Sequence, residues 1–158
     1  MSCGVALAVS LLLSDPNVAL AAAQPPTVAD APVSVAGEPL FRDIVQRSGA
    51  LRGVVVQWRA NLASTPDWVV TPEAMARFRV EAENLAALDM QGHLILKERG
   101  TDGDLKCILR GIAEDIPVKV AAFEAAASPA ERRVALDELV YLLDDNAAVI
   151  TAPPQPDV

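Results

Sequence analysis

Few residues of this sequence could carry chemistry. It has one histidine, His93, and two cysteines, Cys3 and Cys107. A protease-type zinc site needs two histidines on one helix face, which a single histidine cannot supply. A CxxC pair or a CxxCH haem attachment needs neighbouring cysteines, which this sequence does not have. Glycine-rich phosphate loops and the GxSxG turn of hydrolases are absent too. We therefore expect no catalytic residues, no cofactor and no metal, with His93 as the one weak candidate for a metal ligand.

Helical bundles can hold haem or a di-iron centre, so His93 could in principle serve either. Two axial haem ligands must lie on opposite sides of the iron, whereas Met90 and His93 are neighbours on one helix face. Met75 lies about 27 Å away along the same helix, at about 1.5 Å per residue. A di-iron bundle needs Glu-x-x-His motifs on two helices, and Met90 occupies the glutamate position here. Only single ligation of haem by His93 stays open.

An acidic surface around Tyr141 is the first candidate for an interaction site. Helical spacing places Tyr141 opposite the apolar stripe of its helix, near Asp144 and Asp145. Glu114 of the preceding helix would lie near the same level. An aromatic ring among carboxylates suits a basic protein partner or a weakly held divalent cation. The alternatives are a solvated face partly neutralised by lysine and arginine, or an enzyme that uses an acid–base pair such as Glu114 with Asp144.

Gly49 and Gly53 form the second candidate surface. Their GxxxG spacing puts both on the side of the first helix that faces away from its apolar stripe. Each glycine costs a helix about 1 kcal/mol, so two on one face call for an explanation. A close approach of another helix explains them, either within the bundle or across a dimer, and the first of these is the simpler.

Cys107 is the third candidate. Its helical position is opposite the apolar stripe of the third helix. An unpaired cysteine in an exported protein raises the possibility of an intermolecular disulfide or a free thiol. A small core residue is the equally good alternative.

The elements that must position these residues are four amphipathic helices. In the first, Pro39–Ala63, apolar residues recur at alternating steps of three and four, which keeps one face towards a partner: Phe41, Ile44, Ser48, Leu51, Val55, Trp58 and Leu62. The second begins at Pro72 after the N-cap Thr71 and ends at Gly100. Its predicted core residues are Met75, Phe78, Ala82, Leu85, Leu88 and Ile95.

The third and fourth helices follow the same rules. The third begins near Thr101–Asp104, contains Pro117 and a predicted kink there, and carries the stripe Leu105, Leu109, Ile112, Ile116, Val120 and Phe123. The fourth begins with a capping box at Ser128 and Glu131. Its two stripes are Ala135, Leu139, Leu142 and Leu136, Val140, Leu143, Ala147, Ile150. Matched lengths and short connections predict an all-α fold, an antiparallel up-down-up-down four-helix bundle over residues 40–150.

The two ends of the sequence differ from the bundle in composition. The apolar run Gly4–Leu13 is followed by small-x-small patterns that end at Ala23, which predicts a signal peptide over residues 1–23 although the positive n-region is missing. Residues 24–39 are proline-rich and are predicted to form an extended tether, and residues 151–158 a disordered tail. A retained membrane anchor is less favoured, because Asp15 and Pro16 interrupt the span.

Composition limits the partners. The net charge is −8 and no basic cluster occurs, so the chain repels phosphate backbones and no nucleic-acid partner is expected. A coherent core with almost no reactive groups indicates a small periplasmic or secreted protein that acts without catalysis, by binding a protein partner or a second copy of itself. Membrane contact would require that the N-terminal segment be retained. The alternative is a bundle that holds haem, a metal ion or an apolar small molecule.

Overall fold

The computed structural model describes residues 34–100 and 103–152. A short 3-10 helix, Val35–Gly37, precedes four α-helices: α1 (Pro39–Ser64), α2 (Pro72–Arg99), α3 (Gly103–Ala125) and α4 (Pro129–Thr151). The predicted all-α four-helix bundle is confirmed. The predicted signal peptide and most of the proline-rich tether and of the tail lie outside the described residues. Within the described ranges, no helix combines the length and apolarity needed to span a membrane.

The end of the predicted tether is a correction. Ser34 caps the 3-10 helix by accepting a hydrogen bond from the backbone N–H of Ala36. Val35 and Ala36 are partly buried against the core. The proline content predicts an extended tether, but it does not reveal that these two small apolar side chains reach the core.

Local signals set the helix ends where the sequence predicts them. The Thr71 hydroxyl accepts from the backbone of Ala74, and Gly100 ends α2 with φ 65°, the left-handed conformation that favours glycine. Ser128 and Glu131 form the predicted capping box. The Glu131 carboxylate accepts from the backbone N–H groups of Ser128 and Ala127, and these bonds lower its pKa.

The predicted stripes of α1 and α3 are the buried faces of those helices. All seven stripe residues of α1, from Phe41 to Leu62, are buried, and so are all six of α3, from Leu105 to Phe123. In α4 most predicted positions are buried, with Val140 and Ala147 partly exposed. The rings of Trp58 and Phe78 lie 4.8 Å apart, and those of Trp58 and Phe123 5.7 Å apart, so three helices meet around one indole.

The predicted core face of α2 is wrong in its second half. Leu88 and Ile95 are only partly buried, and the buried residues are instead Asp89, Gly92, His93 and Leu96. The steps from Phe78 through Ala82 and Leu85 continue at four, three and four to Asp89, Gly92 and Leu96. A prediction based on apolar residues alone misses this face of α2, because Asp89 and Gly92 occupy part of it.

Contacts between helices show which helices are neighbours. The α2–α3 and α1–α4 interfaces are the most extensive, followed by α3–α4 and α1–α2. Ion pairs join Arg99 to Glu38, at the end of α2 and the start of α1, and Lys119 to Glu138, in α3 and α4. Each of these pairs links the helices that follow one another in the chain, as short connections between neighbouring helices allow.

Candidate functional site

A polar cluster lies inside the bundle and joins three helices. Asn146 of α4 donates from Nδ2 to the Ser48 hydroxyl of α1 at 3.1 Å and to Asp89 Oδ2 of α2 at 2.9 Å. All three residues are 0% exposed. Because buried amide and carboxyl groups are costly without partners, these bonds fix how α1, α2 and α4 align.

The cluster is incompletely paired. Asp89 Oδ1 and Asn146 Oδ1 are buried and have no hydrogen-bond partner. Burial raises the pKa of Asp89 to about 8, and the bond from Asn146 opposes that rise only in part. Asp89 is therefore mainly protonated and uncharged at neutral pH. Sequence reasoning missed this cluster, although each member continues the three-and-four spacing of the apolar residues on its own helix.

His93 is buried and links α2 to α3 through one hydrogen bond. Its Nδ1 lies 2.6 Å from the backbone carbonyl oxygen of Lys106. Since a carbonyl only accepts, Nδ1 must carry the hydrogen, and in the neutral ring Nε2 keeps its lone pair. Among the residues that the structure describes, no group of three or more His, Cys, Asp or Glu side chains could hold a metal ion.

Gly92 packs closely inside the bundle, one turn from Asp89. A Cβ built there would lie 3.2 Å from Leu109 Cδ1 and 3.2 Å from Phe41 Cε1. Any larger residue at this position would make Leu109 or Phe41 shift, so glycine gives the closest approach of α2 to its neighbours.

Gly49 and Gly53 are the reverse. Both are exposed, and a Cβ at either would meet nothing within 4 Å. The simpler explanation of the GxxxG spacing, that another helix of the same chain packs on it, is therefore wrong. These glycines lie on an outer face of α1 that no residue of the described ranges covers.

The acidic surface around Tyr141 is largely paired. Tyr141 is 74% exposed, but Asp144 pairs with Arg52 and Glu114 with Arg110. Asp145 is partly buried. Arginines of α1 thus neutralise α4, beyond the lysine and arginine of α3 considered from the sequence. Glu114 and Asp144 form ion pairs with different arginines. This arrangement does not favour the two carboxyl groups acting together as an acid–base pair.

Cys107 is exposed and forms no disulfide with any residue that the structure describes. The alternative of a small core residue is therefore wrong. The thiol lies on the outer side of α3, accessible to another molecule.

A cavity of about 420 Å³ lies at the end of the bundle where the α1–α2 and α3–α4 connections meet. Trp68 and Arg132 form part of its wall, and the core residues Leu62, Phe123 and Leu136 line it. The sequence gives no signal for this cavity, because it depends on how two connections fold over the helix ends.

Comparison with known proteins adds no assignment to this geometry: no family model, curated protein or solved structure matches the chain.

Proposed function

We propose that this chain is a small exported helical bundle that acts without catalysis, through protein–protein interaction. The docking surface is the α1 outer face, which we define as Gly49, Gly53, Val56 and Ala60; Val45, at its edge, is partly buried against the core of this chain. The observation that carries the proposal is the open space at Gly49 and Gly53. Export is supported by the apolar run and small-x-small patterns of residues 1–23.

The energetic argument starts from the cost of glycine. Two glycines inside α1 destabilise the helix by about 1 kcal/mol each relative to alanine. No contact within the described chain offsets this loss. A flat, uncharged strip lets another helix approach the backbone closely, and that contact would offset the cost. Arg52, at the edge of this strip, is paired with Asp144, so its own charge is already neutralised when a partner docks.

The partner is another protein or a second copy of this chain. An uncharged strip on a helix of this length suits an apolar helix, whose ridge of side chains fills the groove left by the glycines. Tyr141, Asp145 and Cys107 lie on other outer faces and extend the surface available for interaction. The exposed Cys107 thiol is available for the intermolecular disulfide, on the same proposal.

Site-specific photo-crosslinking in the native cell tests this function. A photoreactive amino acid replaces Ala60, on the α1 outer face, or Ala87, an exposed alanine of α2 that serves as control. We expect a discrete adduct from position 60 that is absent from position 87. Equal labelling from both positions, or none from position 60, would contradict the proposal.

A second candidate function, favoured by the cavity, is that the bundle holds an apolar small molecule. About 420 Å³ falls within the usual range of small-molecule sites, and core side chains line it. Organic extraction and mass spectrometry of protein purified from its native cell would reveal the ligand. A protein that carries no extractable molecule, and binds none when offered, would exclude this candidate.

A further inference from the structure

The cavity at the end of the bundle combines apolar walls with one cation. Leu62, Met75, Phe123 and Leu136 contribute apolar side chains from all four helices. Trp68, in the α1–α2 connection, is partly buried against the core and forms another wall. A ligand there would remove an apolar body from water, the dominant favourable contribution to binding of this kind.

Arg132 supplies the charge. Its guanidinium donates from Nη1 to the backbone carbonyl of Trp68 at 2.7 Å and from Nε to that of Ser128 at 3.5 Å. Both acceptors are neutral carbonyl groups. A guanidinium has five N–H donors, so the second nitrogen, Nη2, keeps donors for another group.

Arg132 differs from the other arginines of the described chain. Six of them form ion pairs with carboxylates: Arg47, Arg52, Arg59, Arg79, Arg99 and Arg110. Of the remaining four, Arg42, Arg77 and Arg133 are exposed, and Arg132 alone is partly buried. The acidic residue in the cavity wall, Glu124, pairs with Arg79 instead. A partly buried cation without a carboxylate partner favours an anionic ligand.

We propose that this cavity binds a small apolar monocarboxylate, with its carboxylate on Arg132 and its hydrocarbon body against Met75, Phe123 and Leu136. The inference rests on the second proposed function and names its ligand class. The net charge of −8 does not prevent this, because charges beyond about 8–10 Å are screened at physiological salt. The free Nη2 of Arg132 would make a charge-assisted hydrogen bond to a carboxylate, which is stronger than the bond that a neutral alcohol can accept.

Calorimetric titration of the purified chain with octanoate and with 1-octanol tests the proposal, since the two probes share an apolar body. We expect octanoate to bind about tenfold more tightly or better, a difference of about 1.4 kcal/mol. Arg132→Met should remove that difference, and Arg133→Met, at the exposed neighbouring position, should leave it unchanged. Shifts in the NMR signal of the Met75 methyl group would place the ligand in this cavity.

The results of this titration distinguish the carboxylate assignment from the proposal that the bundle holds an apolar molecule. Equal binding of octanoate and octanol would overturn the carboxylate assignment while leaving an apolar site. Binding of neither probe would overturn the holding function as well. If Arg132→Met fails to fold, the comparison of the two probes on the unmodified chain still decides the assignment.

Discussion

The inner and outer faces of α1 are opposites. On the inner face every residue from Phe41 to Leu62 is buried, and its polar member Ser48 accepts a hydrogen bond from Asn146. On the outer face Gly49 and Gly53 meet nothing within 4 Å. The inner face is therefore explained by the packing of the described helices, whereas no described residue packs on the two glycines of the outer face, which is the basis of the docking proposal.

Glycine itself shows the same contrast. At Gly92, inside the bundle, an added Cβ would lie 3.2 Å from Leu109 and Phe41, closer than ordinary van der Waals contact. Gly49 and Gly53 weaken their helix, and no residue that the structure describes packs on them. The same residue type thus occurs inside and outside the bundle for different reasons, which only its neighbours in the fold distinguish.

The largest expected effect concerns the inner face and is its dependence on pH. Asp89 releases its proton near pH 3.8 when unfolded and near 8 when folded, a difference of about 4 units. At 1.36 kcal/mol per unit, the free energy of unfolding should fall by at most roughly 5 kcal/mol as pH rises from 4 to 8. Urea unfolding at several pH values measures this.

Asp89→Asn is the matched control for that dependence, because an amide does not titrate. Its free energy of unfolding should be nearly constant over the same range. Glu38 and Glu131, whose pKa values are lowered from 4.5, contribute stability that begins to be lost as pH falls through about 4.5. Both proteins keep these two residues, so the difference between their curves isolates the contribution of Asp89. A wild-type curve as flat as that of Asp89→Asn would contradict our description of the cluster.

The next effect comes from the aromatic end of the inner face. Trp58→Ala removes the ring that contacts Phe78 and Phe123, and we expect a loss of about 3–5 kcal/mol in the free energy of unfolding. Tyr141→Ala, at an exposed ring, should change it by less than about 0.5 kcal/mol. Similar losses for both variants in urea unfolding would show that Trp58 is not a core residue.

A smaller effect separates the two kinds of glycine. Gly92→Leu must push Leu109 or Phe41 aside, at a cost of about 1–3 kcal/mol. Gly49→Leu has open space and should instead gain a few tenths to about 1 kcal/mol from helix propensity. Thermal unfolding of the two variants side by side measures the difference, and a loss at position 49 would show that this chain does pack there.

The smallest effect is the gain from the outer face alone. Gly49→Ala and Gly53→Ala should each stabilise the isolated chain by about 1 kcal/mol. The sites are one turn apart but share no packing partner, so the gains should add in the double variant. A gain of this size, measured by urea unfolding, would show that both glycines are retained at the expense of stability.

The sequence predicts the helices well because its signals are local. Thr71, Gly100 and the Ser128 capping box mark ends through bonds made within one turn. The cluster around Asp89 is harder, since a carboxylate on the core face defeats a search for apolar residues. The open space at Gly49 and the cavity at Arg132 were beyond sequence reasoning, because both depend on which neighbours the folded chain brings close.

The most direct test of the docking face is the yield of photo-crosslinked adduct from position 60 when Gly53 is replaced by leucine. Gly111→Leu, at a glycine of α3 that also has open space, is the control. We predict that Gly53→Leu abolishes the adduct because its side chain blocks the close approach, while Gly111→Leu preserves it. An unchanged adduct with Gly53→Leu would show that the partner does not bind at this strip, and would contradict the proposed function of α1.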